Sequence, residues 1–217
     1  GSGSNSTENA VTLSQEAERQ GADGLLVVTP YYNKASQAGL LRHYRTVANS
    51  VSLPIILYSV PSRTGVSIAP ETYAALAEHP NIIGVKEASG NLGNIQRTRS
   101  LCPEDFTIWS GNDDETVPIC ALGGKGVISV AANVLPAEMR RLTHLCLKND
   151  FAAAGKLQIY LKDFCDAMFC EVNPIPVKTA LGLLGWRVGE LRSPMCPPSP
   201  ENLAHIKTVL AQYGLAV

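Results

Sequence analysis

The sequence predicts an α/β protein built on a parallel β-sheet, and three observations support this. Five short apolar runs rich in β-branched residues recur along residues 25–133. None alternates polar and apolar residues, and this lack of alternation is typical of strands with both faces covered. Successive runs begin 20 to 30 residues apart, which leaves room for a crossover helix in each gap. The runs are LLVVTP from Leu25, IILYSVP from Ile55, IIGVKEAS from Ile82, FTIWSGND from Phe106 and GVISVAAN from Gly126.

The intervals between these runs carry helical patterns. Residues 37–50 place their apolar side chains on one side of a helix. Residues 70–79 begin with a proline, which suits a first helical turn, and residues 114–122 are closed by Gly123. The sequence therefore predicts a βαβα array with right-handed crossovers.

Helices are also predicted at both ends of the chain. Asn5, Ser6 and Thr7 are residues of the N-cap type, and Gly21 is a stop signal. After the last apolar run, helical patterns cover residues 136–149, 151–171, 175–185 and 201–213. We expect two regions, a β/α array over residues 1–134 and a helical region over residues 135–217.

Composition narrows the function classes. The 217 residues are 45% hydrophobic and 17% charged with a net charge of −1, which is unlike a basic nucleic-acid binder. No apolar stretch approaches the ~20 residues that span a bilayer, and no signal-peptide pattern opens the chain. The six cysteines lack metal-ligand spacing. We expect reduced thiols, a cytoplasmic location, no metal or cofactor, and neither a membrane nor a nucleic-acid partner.

Polar residues follow the apolar runs, where the carboxyl ends of parallel strands converge and ligands bind. Lys86 ends one run, Tyr58 lies near the end of the preceding run, and Arg63 follows five residues later. A single strand-end lysine commonly reaches solvent, a single tyrosine packs in the core, and a single loop arginine is solvated. The three together, on neighbouring strand ends, favour a functional site.

These three residue types support Schiff-base chemistry. Burial disfavours the charged form of a lysine, and the neutral amine can add to a ketone or aldehyde. A tyrosine on the neighbouring strand suits the proton transfers of this reaction. An arginine offers two parallel hydrogen bonds to the carboxylate of a keto acid. The sequence therefore predicts a lysine nucleophile with a keto-acid substrate.

Six segments carry a more specific pattern: TPYYNK (29–34), LYSVPSRTG (57–65), GVKEASGN (84–91), SGND (110–113), GGKGVISVAAN (123–133) and NPIPVK (173–178). With this spacing the chain resembles the dihydrodipicolinate synthase family, in the N-acetylneuraminate lyase superfamily of Schiff-base aldolases. The resemblance implies a TIM barrel with extra C-terminal helices and a homotetramer of tight dimers. The implied reaction is the condensation of pyruvate with aspartate semialdehyde in lysine (diaminopimelate) biosynthesis.

The resemblance also implies residue roles. Lys86 matches the pyruvate-binding lysine, Tyr58 the proton relay, and Arg63 the residue that receives the second substrate. Gly111 and Ile128 match positions that line the pyruvate pocket. The arginine of PSRTG favours the synthase over the sialic-acid lyases.

Two further roles concern the partner subunit and an effector. Tyr32 matches the tyrosine that enters the active site of the partner subunit. Asn5 and Tyr31 match positions of a lysine-effector site, but Asn9 stands where lysine-sensitive members commonly carry a glutamate. We therefore expect no feedback inhibition by lysine.

A complete TIM barrel has eight strands and typically ~250 residues, whereas five strands are predicted here. By the resemblance, the chain begins in the helix after the third strand, so the Gly-Thr-Thr-Gly-Glu type loop of the family is missing. We expect a partial barrel with reduced or absent activity. The exposed edges of its first and last strands predict a homo-oligomer, with a dimer favoured.

Two alternatives stay open. The chain can be a catalytically inactive truncated homologue that serves as a binding or scaffold domain. It can also be a related keto-acid aldolase of the N-acetylneuraminate lyase superfamily.

Overall fold

The structure, a computed structural model, describes residues 1–216. Its chain contacts define two compact units, the first comprising Gly1–Ile128 and the second beginning at Ser129. The boundary predicted from the sequence at residue 134 stays a prediction. No helix among residues 1–216 combines the length and apolar character needed to cross a bilayer.

The first unit is an α/β fold around a parallel sheet, as predicted. The described sheet has four strands in the order β1-β2-β3-β4, so strands adjacent in the sequence are adjacent in the sheet. They are β1 (Leu25–Val28), β2 (Ile55–Ser59), β3 (Ile82–Glu87) and β4 (Thr107–Ser110).

Each connection between strands contains at least one helix. No bounds were predicted from the sequence for the helix at Leu92–Leu101, which is rich in polar residues. The helices of this unit are α1 (Thr7–Arg19), α2 (Gln37–Ala48), α3 (Pro61–Thr64), α4 (Pro70–Ala77), α5 (Leu92–Leu101) and α6 (Thr116–Ala121). Ser6 caps α1 as predicted, because its side chain accepts a hydrogen bond from the Asn9 backbone N–H. The Asn91 side chain caps α5 in the same way.

The prediction of five strands is wrong for the last run, GVISVAAN. It forms one parallel bridge, between Val127 and Ser110, instead of a strand. The Ser110 N–H donates to the Gly126 carbonyl at 2.8 Å, and the Ile128 N–H donates to the Ser110 carbonyl at 2.9 Å. Pairing stops there because the chain turns into a short 3-10 helix at Ala131–Asn133.

The core of the first unit lies between the sheet and its helices. In β1 and β2, fully buried residues alternate with half-buried ones, as expected from the period of two in a strand. Val27 and Leu57 belong to the fully buried set and are 0% exposed. The two faces of these strands are therefore not equally covered, although the sequence shows no polar alternation.

Residues 1–4, to which the sequence analysis assigned no structure, run beside β1. The Ser2 N–H donates to the Leu26 carbonyl at 3.1 Å. Gly3 fits so closely that a Cβ atom there would lie 2.5 Å from the Val28 nitrogen. This edge of the sheet is therefore partly covered, which weakens the edge argument for a dimer.

The second unit is helical. Its helices are α7 (Pro136–Leu147), α8 (Phe151–Tyr160), α9 (Lys162–Ala167), α10 (Ile175–Leu183) and α11 (Pro200–Gln212). The single helix predicted over residues 151–171 is wrong, because it is interrupted at Leu161. The Tyr213 hydroxyl donates to the Tyr160 carbonyl and accepts from the Phe164 N–H, so it replaces one hydrogen bond of the helix.

Candidate active site

Strands β2 and β3 bring Tyr58 and Lys86 side by side. The two residues are partners in the parallel register, and both are half-buried. The Lys86 Nζ lies 4.3 Å from the centroid of the Tyr58 ring. An ammonium at this distance from an aromatic face is attracted by the ring, which holds the side chain in place.

The surroundings of Lys86 favour its neutral amine. Burial lowers the pKa of Lys86, and the positive charge of Arg63 lowers it further, while the negative charge of Asp113 opposes both. Burial dominates this balance because the ammonium loses hydration there. More of the amine is therefore in the nucleophilic form at a given pH than for a lysine in water.

The surroundings of Tyr58 favour its protonated phenol. Burial raises the pKa of Tyr58, and the charge of Arg63 opposes this increase. A phenol beside an amine can donate a proton to a departing oxygen and later recover it. Tyr58 and Lys86 thus have complementary forms, one a proton donor and the other a nucleophile.

Arg63 is positioned by α3, a helix of one turn directly after β2. The helix begins with Pro61, and the residue that caps its C-terminal end is Gly65, whose φ of 75° lies in the left-handed region that glycine adopts readily. Arg63 and Tyr58 line one cavity of about 400 Å³. A cavity of this volume suits a small molecule. Its other lining residues are Gly1, Gly3, Leu26, Val28, Tyr31, Val60 and Thr64.

Gly111 and Ile128 lie beside the end of β4. A Cβ atom on Gly111 would lie 2.6 Å from the Ala88 Cβ and 3.2 Å from the Lys86 Cε. A larger residue at this position would therefore displace Ala88 and press on the Lys86 side chain. The Ile128 N–H is bonded to the Ser110 carbonyl, which places Ile128 on the segment next to β4.

The tyrosine pair divides between the cavity and solvent. Tyr31 is 42% exposed and lines the cavity, whereas Tyr32 is 89% exposed and does not. Tyr32 has a φ of 73°, a left-handed conformation that is uncommon for a bulky residue. The Asn5 carbonyl accepts a hydrogen bond from the Asn33 side chain at 3.0 Å. Because most of its surface is exposed, the Tyr32 side chain is not packed against the Lys86 of its own chain.

Two buried acidic residues lie near Lys86 and were not among the site residues predicted from the sequence. Asp113 is 2% exposed, and its charge acts on Lys86. Glu87 is 5% exposed and accepts hydrogen bonds from the Tyr73 hydroxyl and the Ser89 N–H. The motif SGND, which contains Asp113, could have identified that residue from the sequence. For Glu87 the only sequence signal is its position next to Lys86.

A parallel α/β sheet with a half-buried lysine beside a tyrosine at its carboxyl edge has the arrangement of a Schiff-base-forming lyase. The family model of the dihydrodipicolinate synthetase family matches residues 1–213. The chain belongs to this family, whose members are lyases of the Schiff-base aldolase type in lysine biosynthesis.

Individual relatives agree with this assignment. The 4-hydroxy-tetrahydrodipicolinate synthase of Thermoanaerobacter sp. (strain X514) is 48% identical over 216 residues, 99% of this chain and 73% of the relative. A dihydrodipicolinate synthase from Acinetobacter baumannii, solved in complex with pyruvate, is 38% identical in sequence and superposes with a TM-score of 0.96. The match includes all of this chain and 74% of the Acinetobacter chain. The structure of a first monomeric dihydrodipicolinate synthase variant is 43% identical in sequence, with a TM-score of 0.96. The match includes 99% of this chain and 73% of the variant's chain.

Proposed function

We propose that this chain condenses pyruvate with aspartate semialdehyde through a Schiff base on Lys86. The observation that carries the proposal is the pairing of Lys86 with Tyr58, with 4.3 Å between the amine and the ring centroid. Family membership and the Acinetobacter baumannii relative that holds pyruvate support the choice of substrate.

The chemistry follows from the two protonation states. The neutral amine of Lys86 adds to the ketone carbon of pyruvate, and the ketone oxygen leaves as water when the carbon–nitrogen double bond forms. Tyr58 supplies a proton to the departing oxygen. The protonated imine withdraws electrons, so the methyl carbon of pyruvate gives a proton to the Tyr58 phenolate and attacks the aldehyde carbon of aspartate semialdehyde. A carbon–carbon bond forms while the aldehyde oxygen takes a proton back from Tyr58. The amino group of the semialdehyde then replaces Lys86 at the imine carbon, which releases the lysine amine.

Arg63 and Gly111 complete the proposed site. The Arg63 guanidinium, which lines the cavity with Tyr58, suits the carboxylate of aspartate semialdehyde. Its positive charge also lowers the pKa of Lys86. Gly111 provides the space that the Lys86 side chain occupies. We assign Ile128 to the same pocket by its position beside β4.

Tyr32 supports a proposed homo-oligomer. Its 89% exposed ring and left-handed backbone are features of a residue that contacts another molecule. We propose a dimer in which Tyr32 enters the site of the partner. Sedimentation at micromolar concentration should show a dimer for the unmodified chain and a monomer for Tyr32→Ala; a monomer in both contradicts the proposal.

Two smaller proposals concern regulation and location. Lysine should not bind, because Asn9, with an exposed side chain, offers no charge for an ammonium; tight binding in calorimetry contradicts this. A cytoplasmic location is supported by the six cysteines, which form no disulfide within residues 1–216.

Borohydride trapping tests the proposed function. The chain is mixed with pyruvate, reduced, and measured by intact mass spectrometry. We expect a pyruvyl adduct on the unmodified chain and none on Lys86→Ala. Lys178→Ala is the matched control, because Lys178 is half-buried in the helical unit, where its Nζ donates to the Glu190 carbonyl. An adduct that persists in Lys86→Ala contradicts the assignment.

A further inference from the structure

Glu87 follows Lys86 in β3, but its side chain leaves the opposite face of the strand. This carboxyl group is buried, and both of its oxygens are engaged. The Tyr73 hydroxyl, from α4, donates to Oε2 at 2.7 Å, and the Ser89 N–H donates to Oε1 at 2.8 Å. Glu87 thereby joins the end of β3 to a helix on one side and to the following turn on the other.

The backbone around Glu87 is held as well. The Gly111 N–H donates to the Glu87 carbonyl at 2.7 Å, and the Ala88 N–H donates to the Ser59 carbonyl at 2.9 Å. Gly111 in turn packs against the Lys86 side chain. Movement of Glu87 would therefore displace both the main chain next to Lys86 and Gly111, which lies against the Lys86 side chain.

The burial of this carboxyl group is unfavourable in itself. Burial raises the pKa of Glu87, although its hydrogen bonds from Tyr73 and Ser89 favour the charged form. A buried ionisable group is a weak means of stabilising a fold, since an apolar residue of similar volume commonly serves as well. The geometry around Lys86 gives this group a different role.

We propose that Glu87 is a positioning residue for Lys86: held by Tyr73 and the Ser89 main chain, it fixes the end of β3 and keeps the Lys86 amine half-buried beside Tyr58. The catalytic consequence rests on the proposed function. The position of the amine does not depend on the proposed function, and it can be measured without pyruvate.

Loss of this support has a defined effect on Lys86. When the end of β3 loosens, the amine reaches water, and the burial that lowers its pKa is reduced. The pKa of Lys86 then rises towards the ordinary lysine value of 10.5. Imine formation slows as well, because a displacement of about 1 Å can reduce a rate by about 10²-fold.

Three variants separate support from general stability. Glu87→Ala removes both acceptors. Glu87→Gln keeps an acceptor for the Ser89 N–H and can donate to the Tyr73 hydroxyl oxygen, so it should restore the unmodified behaviour. Tyr73→Phe removes one hydrogen bond and keeps the ring next to Phe106.

Tyr44→Phe is the matched control for Tyr73→Phe. It removes another buried tyrosine hydroxyl, which donates to the Val27 carbonyl at 3.3 Å, on β1 rather than β3. Both tyrosines are nearly fully buried, so the two substitutions should disturb the core to a similar extent.

The measurement is acetylation of Lys86 by acetic anhydride as a function of pH, followed by peptide mass spectrometry. In Glu87→Ala the midpoint of the curve should rise towards that of an ordinary lysine, so that a smaller fraction of the amine is neutral at a given pH. Tyr73→Phe should show a smaller rise, and Glu87→Gln and Tyr44→Phe should match the unmodified chain.

Each other outcome has a defined meaning. A folded Glu87→Ala with an unchanged midpoint overturns the inference. If Glu87→Ala does not fold, equal midpoints for Tyr73→Phe and Tyr44→Phe overturn it. Absence of a pyruvyl adduct on the unmodified chain contradicts the proposed function and leaves the acetylation curves to decide the role of Glu87.

Discussion

The two faces of the sheet differ at its carboxyl edge. On one face, Val28, Tyr58, Lys86 and Trp109 are successive register partners, and all four are half-buried. We call these four residues the site row. The residue that follows each of these four in the sequence is polar and at most 5% exposed, and we call Thr29, which directly follows β1, Ser59, Glu87 and Ser110 the back row.

Burial shifts the pKa of an ionisable group in each row, but in opposite directions. It lowers the pKa of Lys86 in the site row and raises the pKa of Glu87 in the back row, so both groups shift towards their neutral forms. In the site row, Val28 and Tyr58 line the cavity of about 400 Å³, whereas all four residues of the back row are buried. The comparison indicates that substitutions in the site row alter the chemistry, and substitutions in the back row alter stability and position.

The largest effect is expected for Tyr58→Phe, in the site row. The variant keeps the ring next to the Lys86 amine but removes the hydroxyl that transfers protons. Turnover should fall by about 10²–10⁴-fold, the usual contribution of general acid–base catalysis. A coupled assay with pyruvate and aspartate semialdehyde measures this, with Tyr44→Phe as the control. Unchanged turnover would remove Tyr58 from the mechanism.

Gly111→Ala should have the next largest effect, because the new methyl group enters the space beside Lys86. It would lie 2.6 Å from the Ala88 Cβ, so the neighbouring residues must move. We expect pyruvate trapping to slow by about 10²-fold and stability to fall by about 1–3 kcal/mol. Gly155→Ala in α8 is the control, since a Cβ there meets no atom within 4 Å. Equal trapping rates in both variants would contradict the prediction.

Glu87→Gln sharpens the description of the back row through its pH dependence. The raised pKa of Glu87 means that its contribution to stability is fully present at pH values below its unfolded pKa and is lost as the pH rises through the folded pKa. At neutral pH the variant, which cannot ionise, should therefore unfold at a higher temperature than the unmodified chain. The difference should disappear in acid. A variant that is less stable at neutral pH would show that the charged form is favoured.

Thr29→Val should have the smallest effect. The Thr29 hydroxyl is fully buried and has no hydrogen-bond partner among the described residues. A buried unsatisfied hydroxyl is unfavourable by about 1–3 kcal/mol, so the substitution should be neutral or stabilising. Thermal unfolding measures the change, and the trapping rate should stay unchanged. A large loss of stability would indicate that the hydroxyl has a partner.

Much of the arrangement could be predicted from the sequence. The apolar runs identified the parallel sheet, and their polar ends identified Tyr58 and Lys86, which the register makes partners. These features depend on short segments and on the general topology of βα units.

The remaining features depend on contacts between distant residues. The Tyr73–Glu87 hydrogen bond depends on which face of α4 is turned towards β3, and no local sequence pattern specifies that orientation. The interruption at Leu161 is produced by Tyr213, 53 residues away from the carbonyl it binds. The sequence therefore predicted the site row better than the back row.

The pH dependence of imine formation tests most directly the claim that burial makes Lys86 a nucleophile. Because burial destabilises the ammonium, the neutral amine should form at lower pH than in water. The rate of pyruvate trapping, with Lys86→Ala as the blank, should reach half of its maximum below the ordinary lysine pKa of 10.5. A midpoint at or above 10.5 would contradict the account.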